Sequence, residues 1–428
     1  VAYIKPAIVT VVALALWVSV IVAGALFGWW RQPLAPRGEA QAFMKAAIEM
    51  IERDNRGNTA LVLIEDGAIV AEHFSSSAGP VDGATAFSTA SMSKWITAWG
   101  VMKLVEEGKL DLDRPVDDYL TRWRLPSTQF DRRKVTARRL LSHTAGLNDR
   151  LGFGDYQADE PVPTLEQSLA APRASSGKPV VIAVGMDPGS AWQYSGGGYL
   201  LLELLIEEIS GERFEAFIGR AILEPLGMTR SGYYFLADVE NSAKSYDQTG
   251  RPAPYYRYAS NAATGFNTSA GDLARFVLAQ LPASKDKPLS QATIEAMRKP
   301  HGKSQGIDIW GLGTMLYAPA ASGDFVFGHD GANEPAIGAA ARVNPDTNDG
   351  IVVLTTGSKT TASTLASHWV FWQTGLPDFL SIPGEIQRVV PVLLGGAVVI
   401  LLAAMFIVWR RHRSSPHSGR TPAAGLVA

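Results

Sequence analysis

The sequence has no cysteine among its 428 residues, which excludes disulfides, thiolate nucleophiles and cysteine-ligated metals. It has no surplus of either charge: 39 basic side chains face 41 acidic ones, for a formal net charge of −2. A nucleic-acid binder neutralises phosphates with a basic footprint, so bulk electrostatics give no case for such a partner. No internal repeat is visible. Charged residues at 19% beside apolar ones at 46% describe a globular chain rather than a disordered or fibrous one. Acidic residues stop at Glu385, although a basic tail follows.

What is present begins with two uncharged runs. Residues 7 to 30 carry no charge over 24 positions, about 36 Å as a helix against a hydrocarbon core of roughly 30 Å. A cleaved signal peptide has a shorter apolar stretch ending at small residues. Ala23-Gly24-Ala25 imitates such a site, but the run continues to Trp30, so an uncleaved signal anchor is expected. Residues 389 to 409 form the second run, and Arg410, Arg411 and Arg413 follow at once. By the positive-inside rule this tail stays cytoplasmic, which puts everything between the runs across the cytoplasmic membrane, in a periplasmic position. Trp29, Trp30 and Trp409 stand where interfacial aromatics belong. Gly24 and Gly28 have the GxxxG spacing that can mark a helix contact, but small residues are common in membrane helices, so the pair suggests dimerisation only weakly. The expected organisation is an anchor over 1–38, a catalytic-sized domain over 39–385 and a membrane helix with basic tail over 386–428.

In the middle, two apolar runs meet at Asp66-Gly67, a hairpin signal. Residues 325–328, 336–343 and 351–355 read as three further strands, the last two separated by a turn over 344–350. Strands at both ends with helices between suggest an α+β layout in which one antiparallel sheet collects both ends. Met92, Trp95, Ile96, Trp99 and Met102 recur at helical spacing as far as Gly108, and residues 200–209 form another helix stopped by Gly211. Residues 160–190 and 280–306 read as surface loops. Arg132, Arg133, Lys134, Arg138 and Arg139 read as a solvated helix face.

A serine becomes a nucleophile only with a base within hydrogen-bond reach. The segment Gly302-Lys-Ser304-Gln-Gly306 has the G-x-S-x-G spacing of a nucleophile elbow, but an elbow follows a buried strand and opens a helix, and Ser304 has neither flank. The S-x-x-K spacing puts a lysine one helical turn after a serine, so that both share a face. It occurs at Ser91/Lys94, Ser175/Lys178 and Ser284/Lys287. Glycine and proline surround the last two, whereas Ser91 opens the apolar-periodic helix, with Ser88 and Thr89 upstream as candidate caps. There its backbone N–H is left unpaired by the helix and can face an oxyanion.

Phe87-Ser-Thr-Ala-Ser91-Met-Ser-Lys94 resembles the active-site motif of the serine β-lactamase and penicillin-binding-protein superfamily, in its class C-like branch of esterases and D-amino-acid peptidases. The resemblance continues in order through Val135-Thr-Ala-Arg-Arg-Leu-Leu-Ser-His143-Thr-Ala-Gly-Leu147, Tyr194-Ser195-Gly196 at the Y-x-N position, Glu224-Pro-Leu-Gly-Met228 and Gly328-His329-Asp330-Gly331. It implies a β-lactamase-like fold, with a central antiparallel sheet flanked by helices and a helical subdomain. It further implies that Ser91 attacks a carbonyl to form an acyl-enzyme, with Lys94 and Tyr194 as the base and proton carrier in an order left open. His329 takes the place of the K-T-G lysine, and the N–H of Ala332 after Gly331 is the second oxyanion donor. His143 holds a loop rather than acting chemically.

Gly196 departs from the pattern, since an asparagine amide usually stands there and contacts both lysine and substrate. His329 in place of lysine is a second departure. Both favour an esterase or amidase acting on a small-molecule, ester or peptide substrate over a dedicated β-lactamase, with a D,D-carboxypeptidase and an idle ligand-binding relative as the alternatives. No cofactor and no metal are expected.

Overall fold

The structure is a computed structural model that describes residues 4–76, 78–149, 155–174, 180–285 and 287–413. Its helices are α1 (Ile4–Leu26), α2 (Ala40–Asp54), α3 (Ser93–Glu106), α4 (Ala137–Leu141), α5 (Leu165–Ala170), α6 (Gly196–Ser210), α7 (Phe214–Ile218), α8 (Ala270–Ala279), α9 (Gln291–Met297), α10 (Thr361–Thr374) and α11 (Ile382–Arg413). Its strands are β1 (Thr59–Glu65), β2 (Ala68–Ser75), β3 (Ala86–Ser88), β4 (Asp155–Tyr156), β5 (Arg257–Tyr258), β6 (Asn267–Ser269), β7 (Gly302–Ser304), β8 (Ile307–Trp310), β9 (Met315–Pro319), β10 (Phe325–Asn333), β11 (Ile337–Asn344) and β12 (Asp349–Thr356). Two compact units result, one within Val1–Gln32 and Ser381–Ala428 and the other Pro33–Leu380. The larger unit starts before the expected residue 39 because Ala35 is buried and the Trp372 indole donates to the Pro36 carbonyl at 2.7 Å.

Eight strands form one antiparallel sheet in the order β2-β1-β12-β11-β10-β9-β8-β7. The β1–β2 hairpin turns at Asp66 (φ 47°) and Gly67 (φ 74°), and two consecutive positive φ values are what a tight hairpin following the strand twist requires. Strand β1 then lies beside β12, so the two ends of the unit meet in the sheet, as expected. Alternation along β1 sorts the core. Ala60, Val62 and Ile64 join the cluster that holds α3, α6 and α8, while Leu61 and Leu63 join the cluster that holds α2 and α10. The sheet is therefore covered on both faces, and its middle strands read as unbroken apolar runs for that reason.

Three expectations need correction. The stretch read as a loop over 280–306 contains α9 and β7, and that over 160–190 contains α5, a short helix closed by a Thr164–Gln167 capping box. Residues 175–179, with Ser175 and Lys178, lie outside the described residues. The basic run forms a single 3-10 turn (Arg132–Lys134) followed by α4 rather than one helix face, and Arg132, Arg133, Lys134 and Arg138 pair with Asp117, Asp118, Asp187 and Asp113.

In the smaller unit, α1 and α11 pack on one another, and the Trp17 indole donates to the Leu393 carbonyl at 3.0 Å. Arg31, just past α1, donates to Ser381 Oγ at 3.1 Å and lies 3.8 Å from Glu385 in the first turn of α11, so the helices run antiparallel. Within them, Ala7–Leu26 and Ile382–Arg411 are long and apolar enough to cross a bilayer. Gly24 lies against the Trp30 ring, and Gly28 falls in the turn beyond α1.

Candidate active site

Ser91 stands in the middle of a 3-10 turn, Ala90–Met92, that runs straight into α3. Ala90 adopts φ 48°, a left-handed conformation that costs an L residue roughly 1–2 kcal/mol. Strain of this kind persists only where the surroundings hold it, and here it lifts Ser91 at the head of a buried helix. The expected caps do not cap. Thr89 occupies the cap position without a side-chain cap bond, and its hydroxyl donates instead to the Phe266 carbonyl at 2.8 Å.

Helix α3 is buried on every side from Ser93 to Met102, as befits a core helix. Ser93, Lys94 and Thr97 must then find partners inside the protein, and all three reach one segment, residues 260–266. Ser93 Oγ accepts from the Phe266 N–H at 2.9 Å, Thr97 Oγ1 donates to the Ala262 carbonyl at 2.9 Å, and Lys94 Nζ donates to the Ala263 carbonyl at 2.9 Å. That bond fixes Nζ 3.4 Å from Ser91 Oγ and 5.0 Å and 5.4 Å from the centres of the Tyr194 and Tyr199 rings.

Tyr194 arrives from the other side. Its hydroxyl donates to Ser91 Oγ at 3.0 Å. The next residue, Ser195, is the N-cap of α6: its Oγ accepts from the Gly198 N–H at 2.8 Å and donates to Asp149 at 2.6 Å. Asp149 also accepts from the Gly197 N–H at 2.9 Å, so a carboxylate sits on the helix N-terminus, where the helix dipole favours it. Gly196, buried, is the first residue of α6, directly after this cap, and brings no side chain to the position where the family pattern has an asparagine amide. His143 Nδ1 accepts from the Ser195 N–H at 3.2 Å, and its ring lies 4.5 Å from that of Tyr194. Burial first, then Lys94 and His329, hold its pKa well below the ordinary value, so the ring is a neutral support.

The third wall is β10. It pairs with β9 only over Phe325–Gly328, and the stretch from His329 onward runs past Ser91. Gly331 is there because nothing larger fits: a Cβ would lie 1.9 Å from the Thr89 carbonyl oxygen. This contact presses the strand against the Ser91 turn. His329 is buried, its Nδ1 donates to the Asp330 carbonyl at 2.6 Å, and burial followed by Lys94 pushes its pKa down to about 3. Asp330 forms a two-point ion pair with the fully buried Arg342, at 2.5 and 3.1 Å, which ties β10 to β11.

Ser91, Tyr194, His329, Gly331 and Ala332 together line a cavity of about 430 Å³. Lys94 lies beneath it, fully buried. Every expected site residue is thus brought together except Gly196, which stands back at the start of α6. The sequence reading missed Trp192 and Trp310, whose rings are 5.8 Å apart and form an aromatic wall of this cavity, and it missed the Ala263 carbonyl. Ser304 ends β7 at a hairpin into β8, with no helix after it, and is absent from the cavity lining. A second cavity, about 390 Å³, lies among Tyr233, Tyr255 and Arg257 and contains none of the expected residues.

Residues 41–370 match the family described as Beta-lactamase. Penicillin-binding protein 4* of Bacillus subtilis (strain 168) is 31% identical over 196 residues, 45% of this chain and 41% of that protein. Esterase EstB of Burkholderia gladioli is 33% identical over 195 residues, 41% of this chain and 45% of that protein. The chain spans less than half the length of these curated relatives. Among solved structures, the octameric penicillin-binding protein homologue from Pyrococcus abyssi superposes with a TM-score of 0.64 at 24% identity, covering 79% of this chain and 78% of that one, which is a likeness of fold.

Proposed function

The chain belongs to the Beta-lactamase family, whose members are serine hydrolases that work through an acyl-enzyme, and on that premise we propose that it cleaves an ester or amide at Ser91 while anchored in a membrane. The observation that carries this reading is the position of Ser91 Oγ, 3.0 Å from the Tyr194 hydroxyl and 3.4 Å from Lys94 Nζ on the wall of a cavity. Ser91 attacks the substrate carbonyl, and its proton passes into the Lys94–Tyr194 pair. Tyr194, which reaches the cavity, delivers a proton to the leaving group and in the second half-reaction draws one from water. The N–H groups of Ser91 and Ala332 receive the oxyanion, a role for which the close approach of Gly331 brings the strand near enough. Neutral His329 lines the cavity with Trp192, Ile309, Trp310 and Met315, and this lining favours an apolar portion of the substrate.

Two features support the anchoring. Arg410 and Arg411 lie at the end of a helix of membrane-spanning length, and the antiparallel pairing puts the start of α1 and the end of α11 on one side. The catalytic unit then faces the periplasmic side, and the bilayer is its standing partner.

A kinetic panel of short-chain esters, D-Ala-terminated peptides and β-lactams tests the function. Turnover of an ester or amide that disappears in Ser91→Ala is expected. Turnover unchanged by that substitution overturns the reading, and fast, sustained nitrocefin hydrolysis would replace it with a true β-lactamase.

A further inference from the structure

Helix α6 has a carboxylic acid in the wrong place. Glu203 is buried in the middle of a run of leucines, Leu200 to Leu202 before it and Leu204 and Leu205 after it, all fully buried. A buried carboxyl group is costly unless it is hydrogen-bonded. Its Oε2 accepts from the Ala262 N–H at 2.9 Å, and the Asn261 N–H also bonds to it. These two amides open the turn whose carbonyls hold α3: Ala262 accepts from Thr97, and Ala263 accepts from Lys94. The turn has few other anchors of its own, chiefly Ser260, whose Oγ accepts from the Ala263 N–H at 3.2 Å and whose carbonyl accepts from Thr264 and Gly265.

We propose that Glu203 is a positioning residue for the acyl-transfer reaction: it fixes the Asn261–Ala263 turn so that the Ala263 carbonyl holds Lys94 Nζ against Ser91. This rests on the hydrolase reading above. The helix whose N-cap directly follows Tyr194 thereby braces the lysine from its third turn, so both proton-handling groups are referred to one rigid element. Burial, only partly offset by the two N–H bonds, pushes the Glu203 pKa up to about 8, with Glu207 and Glu215 adding to the shift and Tyr233 as the other titratable group near it. At neutral pH the group is an uncharged acceptor, and it adds no negative charge behind a lysine that must give up its proton to act as a base.

Two substitutions in the full chain separate positioning from bulk stability. Glu203→Gln keeps an acceptor oxygen at the same reach. Glu203→Asp withdraws it by about 1.5 Å, one carbon–carbon bond. A displacement of about an ångström at a reacting group costs on the order of 100-fold. The expected result is that Glu203→Gln retains kcat within a few-fold, while Glu203→Asp loses about 10- to 100-fold in kcat with KM unchanged, at a temperature where both are folded by circular dichroism. An Asp variant with wild-type kcat, or one whose loss lies in KM, overturns the proposal. So does a Gln variant that is as impaired as Asp. Ser91→Ala, run alongside, reports on the hydrolase reading itself: turnover that survives it removes that reading, whereas Ser91-dependent turnover unaffected by Glu203→Asp removes only the role of Glu203.

Discussion

The hydroxyl of Tyr194 donates to Ser91 Oγ at 3.0 Å, a bond between residues 103 positions apart in the chain. Lys94 Nζ, from only three positions along the chain, comes no nearer to Ser91 Oγ than 3.4 Å, at the long edge of hydrogen bonding. Tyr194 is thus the closer of the two groups to the nucleophile and the one that also faces the cavity. Tyr194→Phe keeps the ring packed on His143 and removes only the hydroxyl. It should lower kcat by 10²- to 10⁴-fold, the usual range for a lost acid–base group, with little change in melting temperature. A decrease confined to KM would assign Tyr194 to binding instead.

Gly331→Ala should damage the site through the backbone. The added methyl would meet the Thr89 carbonyl at 1.9 Å, and neither partner is the free end of a flexible side chain. The strand or the Ser91 turn must move, at a cost of roughly 1–3 kcal/mol for overpacking. A lowered melting temperature together with slower acylation of Ser91 is expected. Unchanged acylation would mean that the strand stands farther from the turn than the structure has it.

Acid should destabilise the protein through its buried histidines. His329, at about 3 in the fold, and His143, also lowered, take the ordinary value of about 6.5 once unfolded. Between those values the unfolded chain binds more protons than the folded one. The stabilising contribution is therefore complete above pH 6.5 and is lost as the pH falls, for His329 down to about 3, by at most about 1.4 kcal/mol per pH unit, with His143 acting in the same direction. The melting temperature of His329→Asn should drop less between pH 7 and pH 5 than that of wild type. Parallel curves would show that His329 takes up a proton as readily in the fold as in the unfolded chain.

The membrane arrangement is open to a direct test. A reporter that works only in the cytoplasm, fused after the last residue, should be active, and one inserted at the exposed Asp66-Gly67 turn should not. Activity in the opposite pattern would invert the topology.

Much of this site could be read in the sequence because its parts are local. Ser91 and Lys94 stand three residues apart where the 3-10 turn runs into α3, and Asp66-Gly67 can hardly make anything but a tight turn. What could not be read is long-range. Nothing near residue 94 indicates that the Ala263 carbonyl, 169 positions away, receives the lysine. A carbonyl has no sequence signature, and Glu203 among leucines reads only as an interruption of an apolar helix. Strands β7 to β9 were obscured for another reason. They are short, at the edge of the sheet, and interrupted by Gly306, Gly311 and Gly313, so their alternation never runs long enough to separate strand from loop. Trp192 and Trp310 form one wall of the cavity, 118 positions apart in the chain and with no periodic pattern linking them.

The claim on which the rest depends is that Ser91 is the nucleophile. Treating the intact protein with a fluorophosphonate and mapping the adduct by peptide mass spectrometry measures this most directly. One adduct on the peptide containing Ser91 is predicted, absent from Ser91→Ala and retained in Ser304→Ala. No adduct under conditions that label a related hydrolase, or an adduct that follows Ser304, would contradict it.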